Sequence, residues 1–528
     1  MQCGMPEGAL QIVLGDGDTV GRALLSDRRV AGVLFSGSRE TGRAVSIQLA
    51  ALPKAPKLIG VFGGVNSMIA DSSALPEQVI SDAIVSAFRN AGQSASSLRI
   101  LCLQDSTADK VLRMLNGMLS ERMTGNPLSP ATDIGPVATR RARDRAEAYL
   151  AQLKQRGMTV VRGKLSGDGS KGNHVAPAIV DIGDVRALRS IDPAVDGPIV
   201  HVLRYRTGEM DALLRALNER GCGVQGLHTR INEAAGKLLS LTRANSVCIN
   251  RAMHSAFVGM QPFGGVDASG TGPMAGGPLM LASLTRQAAL SFEAASGPFA
   301  ATATAVSEKF FEFPVEGPDG KRLSRQTAAA KAWSAQRHHL DSLFNLASSR
   351  GANAKDLATL GDFRSRASEL FAAMRPLGLP ALTGEENTVE LLPRGQVLCA
   401  ADSVSAVIAQ ASVAAAFGNE VVLLKSQISD EIASTLGAGC LVIDAADAAR
   451  ILRGDVPGVR PDVVLTTPGQ HGLDNIRRLA AEAMIAVVMA DDTGGYDWTQ
   501  LVRERVTTVN ASAAGGNTQL MVMSEDAF

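Results

Sequence analysis

Between Leu58 and Leu103 the chain reads LIGVFGGVNSMIADSSALPEQVISDAIVSAFRNAGQSASSLRILCL, and the punctuation of this stretch decides the fold class. Leu58–Phe62 is a short apolar run stopped by Gly63-Gly64. Pro76 sets the backbone angle that a first helical residue needs, and Val79, Ile80, Ala83, Ile84, Ala87 and Phe88 then recur at i, i+3 and i+4. Gly92 is placed to end that helix, because it takes left-handed backbone at no steric cost. Ile100–Leu103 follows as the next strand. Repeated units of this kind predict α/β layers around a mainly parallel sheet.

The same alternation extends outward. Leu10–Leu14 is an apolar run ended by Gly15-Asp16-Gly17, and Ala31–Phe35 is another, followed by Ser36-Gly37-Ser38 and a helical stretch. Ala142, Ala146, Tyr149, Leu150 and Leu153 mark an amphipathic helix closed by Gly157, with Met158–Val161 as a strand after it. Residues 286–380 carry Ala-rich helical patterns and a break at Glu316-Gly317-Pro318-Asp319-Gly320, which predicts a helical connector with one hairpin or flap. From Thr388 the alternation returns. Gln396–Ala400 and Val421–Leu424 read as strands around a helix over Ser403–Phe417, and apolar runs recur at Leu441–Ile443, Val463–Leu465 and Ile485–Met489. That is a second, smaller Rossmann-like unit.

Composition narrows the class of function. At roughly 150 residues per domain, 528 residues suggest about three domains. Lys+Arg and Asp+Glu stand at 52 each, so there is no basic field for nucleic acid. Hydrophobic residues at 45% against 20% charged argue for folded cores rather than disorder. Six scattered cysteines, with no CxxC pair, indicate neither a zinc site nor a disulfide framework. The N-terminal MQCGMPEGAL lacks the basic and apolar regions of a signal peptide, and no apolar run has the length of a membrane span. The expectation is a reduced, cytoplasmic protein.

Candidate chemistry lies in the glycine-rich turns. Gly15-Asp16-Gly17 with Gly21 has the wrong spacing for a dinucleotide fingerprint. Ser36-Gly37-Ser38, between strand and helix, either points N–H groups at a pyrophosphate or is a plain turn. The segment from Met260 to Pro273, with Phe263, Gly265, Ser269 and Thr271, suits a loop around a small carboxylate, or a crowded interdomain turn. Cys102 and Cys248 lie in apolar strands and read as core thiols, and Cys222, between two glycines, has no evident base. His338 and His339 are adjacent on a helix and point apart, and Arg140-Arg141-Ala142-Arg143 reads as a solvated face.

Several long stretches resemble a known family. They are Val33–Ser38, Asn66–Val79, Gln261–Gly277, Thr383–Thr388 and Val509–Asn517. The chain resembles, over essentially its whole length, the C-terminal part of long-form proline utilization A. That part is an L-glutamate γ-semialdehyde (Δ1-pyrroline-5-carboxylate) dehydrogenase of the aldehyde dehydrogenase superfamily, followed by a C-terminal domain. The resemblance implies a partial NAD-binding Rossmann lobe at 1–62, a catalytic-type α/β lobe at 63–285, the connector at 286–387 and a degenerate Rossmann-like domain at 388–528. It also implies that the chain starts midway through the NAD-binding half, without that half's oxyanion Asn and ribose-binding Lys.

The family's mechanism uses a cysteine thiolate, NAD as hydride acceptor and a glutamate base. The cysteine belongs to a Gly-Gln-Arg-Cys-Ser motif, and here the corresponding residues are Gly92-Gln93-Ser94-Ala95-Ser96. The base precedes Gly63-Gly64 by two positions, where Val61 stands. A Glu-Xaa-Phe-Gly-Pro motif that holds the nicotinamide ribose is replaced by Ala194-Val195-Asp196-Gly197-Pro198. A methyl group forms no thiohemiacetal and valine exchanges no proton. The substrate-carboxylate end persists as Ser96, Phe263, Gly265 and Ser269, although Asp267 adds an anion to that loop. Lys425, after the strand Val421–Leu424, matches the position of a cofactor lysine in the duplicated Rossmann unit. The resemblance therefore implies a pseudoenzyme or scaffold that does not bind NAD alone, paired with a proline dehydrogenase-bearing chain or with itself. The alternative is a dehydrogenase completed by another polypeptide. A further expectation is an open apolar sheet edge near residues 10–35.

Overall fold

Ser67–Ala70, a four-residue strand directly after the Gly63-Gly64 stop, is the centre of the main sheet. The computed structural model describes residues 4–52, 56–166, 172–192, 195–254, 256–284, 315–316, 322–323, 325–373, 376–468, 474–490 and 494–510. Cys3, Ala194, all of 286–314, the turn 317–320 and the tail 511–517 lie outside these described residues.

The main sheet has ten strands. Their order is Leu377–Leu379, Glu385–Pro393, Val502–Asn510, Ser246–Ile249, Val224–His228, Ser67–Ala70, Ile100–Gln104, Ile199–Tyr205, Ala178–Asp184 and Thr159–Arg162. The seven from Val502–Asn510 to Ala178–Asp184 run parallel, and the outer strands on both sides pair antiparallel. Ser67–Ala70 and Ile100–Gln104 are buried at every position, as strands covered by helices on both faces must be. The helix Pro76–Phe88 supplies one such cover. All six of its predicted apolar positions are buried, each large side chain contributing roughly 1.5–3 kcal/mol relative to exposure.

Val502–Asn510, whose last two residues open the Val509–Asn517 stretch, adds to the main sheet. Its partners are Ser246–Ile249 on one side and Glu385–Pro393 on the other. Between Glu385–Pro393 and Val502–Asn510 in the chain lies a five-stranded parallel sheet, in the order Cys440–Ile443, Glu420–Leu424, Gln396–Ala400, Val463–Thr466, Ala486–Met489. Numbered along the chain that order is 3-2-1-4-5, the doubly wound Rossmann pattern. Its core is closed by Trp498 stacked on Phe417 with ring centroids 5.6 Å apart. The connector is helical over Arg325–Ser349 and Ala354–Ala373, and Val315–Glu316 pairs antiparallel with Arg322–Leu323.

A third sheet has two parallel strands, Gly32–Gly37 and Lys57–Phe62, joined by the helix Arg39–Ala50. That helix packs on Asp474–Ala483 of the five-stranded unit. Leu10–Leu14, read above as a strand, is not one. Its backbone pairs with no strand among the described residues, and Leu10, Ile12 and Leu14 are 74%, 84% and 88% exposed. An apolar run becomes a strand only where a neighbour offers a ladder. The open edge expected in this region is present on Gly32–Gly37, whose outer side pairs with no strand among the described residues and whose Leu34 is 62% exposed.

Candidate active site

Four residues stand just before the amino ends of the central parallel strands. Asn66 precedes Ser67–Ala70, Arg99 precedes Ile100–Gln104, Gly223 precedes Val224–His228, and Asn245 precedes Ser246–Ile249. Open α/β sheets more often bind ligands at their carboxyl ends.

Asn66 organises this rim. It is 1% exposed, and its amide nitrogen donates to the carbonyls of Ala95 (2.7 Å) and Ser97 (3.0 Å). Its amide oxygen accepts from the Val224 N–H at 2.9 Å, and its own carbonyl accepts from the N–H groups of Arg99 and Ile100. One buried side chain thus joins the strand bearing the nucleophile position to the next strand but one. No motif argument had assigned Asn66 a role; the signal was a polar residue between a Gly-Gly stop and an apolar run.

The turn holding Ala95 is prepared by local backbone. Asn90, Ala91 and Gly92 all have positive φ, at 57°, 53° and 69°. Left-handed backbone costs a non-glycine residue about 1–2 kcal/mol. At Gly92 no side chain fits at all, since a Cβ there would lie 2.1 Å from the Gly197 carbonyl oxygen. The Ser97 hydroxyl accepts from the Ser94 N–H at 3.1 Å, and Ser96 and Ser97 are buried. Arg99 is 4% exposed and donates to the Gly197 carbonyl (3.0 Å) and Asp196 (3.2 Å). Asp196 and Gly197 therefore abut the Ala95 turn through Arg99 and Gly92, and Ala194 is outside the described residues.

Val61 faces the second loop. It bridges Gly270 antiparallel, and Phe62 N–H donates to the Ser269 carbonyl at 2.8 Å. Ser269 is buried, its hydroxyl donating to the Val266 carbonyl at 3.0 Å. Added Cβ atoms at Gly265, Gly223 and Gly270 would meet Ser269 Oγ, Ser269 Cβ and the Gly265 carbonyl oxygen at 2.2, 2.7 and 2.4 Å, so glycine is a packing requirement here. Phe263 is locked by a two-way backbone pair with Ala275, at 3.0 and 2.8 Å. Ala95 is thus held by Asn66, Val61 by Gly270 and Ser269 by Val266, while Ser96 is buried within the Ala95 turn.

Asp267, expected to place a free anion on that loop, is compensated. Arg243 contacts it at 3.1 Å and reaches Asp462 of the five-stranded unit at 2.8 Å. Burial pushes the Asp267 carboxyl up, but Arg243, Arg394 and Arg503 outweigh it and hold the group below the usual carboxylate range. Asp462 is raised by burial and by Asp267. Arg394 also donates to the Thr271 carbonyl at 3.0 Å, so the loop is tied to the C-terminal unit at two points.

The three described thiols of the main sheet and its rim, Cys102, Cys222 and Cys248, are all buried. Cys222 lies nearest the rim, its Sγ donating to the Val224 carbonyl at 3.1 Å and lying 3.4 Å from Ser67 Oγ. Burial pushes it up to about 11, and Cys248 likewise, so both remain thiols at neutral pH. Cys102 is driven higher by the same cause. No group of three or more His, Cys, Asp or Glu that could hold a metal occurs among the described residues.

The residues named for NAD do not fit a dinucleotide site together. The Ser38 hydroxyl caps the helix Arg39–Ala50 by accepting from the Thr41 N–H at 3.2 Å, which favours the plain-turn reading, and Ser36, Gly37 and Ser38 are exposed. Lys425 is exposed at the end of Glu420–Leu424, in a different sheet. No step through the cofactor is derived for this chain.

Residues 1–289 match the model of the aldehyde dehydrogenase family. The bifunctional protein PutA of Escherichia coli K12 is 33% identical over 542 residues, covering 99% of this chain and 38% of that protein. The 1-pyrroline-5-carboxylate dehydrogenase of Bacillus cytotoxicus is 30% identical over 288 residues, covering 53% of this chain and 55% of that protein. A solved proline utilization A variant from Bradyrhizobium japonicum superposes with a TM-score of 0.50 at 39% identity, over 52% of this chain and 28% of that one. The chain thus spans less than two fifths of the PutA relative it matches. Among the described residues no helix is long and apolar enough to cross a membrane. Since more than half of its length lies inside the family match, the chain belongs to the aldehyde dehydrogenase family.

Proposed function

We propose that this protein keeps the architecture of the L-glutamate γ-semialdehyde dehydrogenase module of proline catabolism and has given up the oxidation itself. It acts as a non-catalytic scaffold or binding partner, and its natural counterpart is a proline dehydrogenase-bearing chain. The observation that carries this reading is the pair Ala95 and Val61. Both sit on a rim whose supporting bonds, above all those of Asn66, are complete, yet neither has an atom that can attack a carbonyl or take a proton. The raised Cys222 thiol does not replace the missing nucleophile. NAD binding by this chain alone is not part of the reading, because Ser36–Ser38 and Lys425 stand on separate sheets.

A second reading has its own support in the unpaired edge of Gly32–Gly37. A strand from another polypeptide that completed this sheet would add cofactor-binding residues through main-chain hydrogen bonds. One experiment separates the two. Purified protein is incubated with NAD+ and γ-semialdehyde, alone and with a proline dehydrogenase-bearing chain, and NADH is followed by absorbance. The scaffold reading expects none in either case. NADH formation by the unaltered protein alone overturns it, and NADH formation only with the second chain establishes a split enzyme.

A further inference from the structure

A cavity of about 190 Å3 lies where the helix Arg39–Ala50 and the strand Lys57–Phe62 meet the edge strand Ala486–Met489 of the five-stranded sheet. Its walls include the apolar side chains of Leu49, Leu58, Met484 and Val487. Two lining residues carry buried donors that find no acceptor among the described residues. Gln500 is 5% exposed and its Nε2 has no hydrogen-bond partner, and the same holds for Nε of Arg477. The other cation on the wall is already answered: Lys57 forms an ion pair with Asp497 and donates to the Ser283 carbonyl at 2.8 Å. Arg477 spends its Nη2 on the Ala50 and Leu52 carbonyls, at 3.1 and 3.5 Å, and reaches Asp474 only at 3.6 Å.

We propose that this interdomain cavity is a binding site for a small organic anion, a carboxylate or similar oxyanion on a short branched apolar body. Buried donors without acceptors are costly, and a ligand presenting two oxygens to Gln500 and Arg477 removes that cost. Its apolar body then takes the place of solvent against Leu49, Leu58 and Met484. The size suits the class, because a purely apolar cavity of about 150 Å3 already admits benzene. Thr271, at the end of the Ser269 loop, lines one side of the cavity, but Ala95, Ser96 and Ser269 do not, so the ligand would sit away from the nucleophile position and its binding does not depend on the function proposed above.

The test uses 3-methylbutanoate and its neutral isostere 3-methylbutanamide, with binding read by saturation-transfer NMR on the full chain. Expected is saturable transfer from the acid at millimolar concentration, with the amide at least tenfold weaker. Gln500→Leu should weaken binding of the acid at least fivefold. Ala486→Phe and Ser46→Phe, which fill the cavity from opposite walls and keep both donors, should abolish binding. Thermal unfolding of each variant establishes which are folded, and any one folded filling variant suffices to decide. Undiminished binding in such a variant, equal binding of acid and amide, or no transfer from the folded parent protein overturns the proposal.

Discussion

The amide nitrogen of Asn66 lies 2.7 Å from the carbonyl oxygen of Ala95, so the residue at the family's nucleophile position is held by a side chain rooted in the central strand. The bonds that hold this turn therefore come from Asn66, a residue outside the turn itself.

Asn66→Ala removes hydrogen bonds to Ala95, Ser97 and Val224 and leaves three backbone groups without partners. A buried polar group left unsatisfied costs about 1–3 kcal/mol. The expected loss is about 3 kcal/mol or more, read as a lower urea midpoint with unchanged slope. A loss below about 1 kcal/mol would show that Asn66 does not organise the rim.

Arg243→Met removes one cation from two part-buried carboxylates, Asp267 and Asp462, which keep Arg394 and the Gln396 N–H as neighbours. A part-exposed pair is worth less than the ~3–5 kcal/mol of a fully buried one, so the expected loss is about 1 kcal/mol. Adding Asp267→Gly should recover part of that loss, because φ at position 267 is 61° and glycine adopts it freely. Additive effects of the two substitutions in a double-mutant cycle would deny the coupling.

Leu34 is exposed on the open edge strand Gly32–Gly37. Such an edge templates pairing with other chains, and a lysine there opposes it. Light scattering across a concentration series should show self-association of the parent protein and less of it in Leu34→Lys. Identical behaviour of the two would place any association elsewhere.

Two buried groups should bend stability with pH in opposite senses below about pH 7. His201 is buried, with Tyr149 OH at 2.9 Å, and burial pushes it down to about 4 from 6.5. The unfolded chain then binds a proton that the native state refuses, so stability present above pH 6.5 is lost progressively as pH falls to about 4, by about 3 kcal/mol. Glu504 behaves oppositely. Burial raises it to about 7 from 4.5 despite N–H donors from Met274 and Leu279, so stability present below pH 4.5 is lost as pH rises through about 7. His201→Gln should flatten the acid limb of a denaturation-midpoint profile, and Glu504→Gln the limb between about 4.5 and 7. Unchanged limbs would assign the pH dependence to other groups.

Much of the fold was legible. The strands at Lys57–Phe62, Gln396–Ala400 and Val463–Thr466 and the helix at Pro76–Phe88 announce themselves through apolar runs, Gly stops and helical spacing. Ser67–Ala70 does not, although it is the centre of the sheet. Four residues between a turn and a second turn are too few for a period to show. Leu10–Leu14 failed in the opposite sense, since a pattern suited to a strand found no partner.

That neither Ala95 nor Val61 can attack a carbonyl or take a proton was legible in the sequence, because a side chain without a lone pair or an exchangeable proton lacks them in any environment. What Asp267 does could not. Its charge is answered by Arg243 and, through it, tied to Asp462, and the Arg243–Asp462 bond spans 219 residues of chain. Likewise, backbone ladder bonds carry no label in the sequence, so only the packed chain shows that Val502–Asn510 leaves the C-terminal unit to pair with Ser246–Ile249. Local side-chain chemistry is written residue by residue, whereas charge compensation and strand partnership depend on which distant segments the fold brings within a few ångströms.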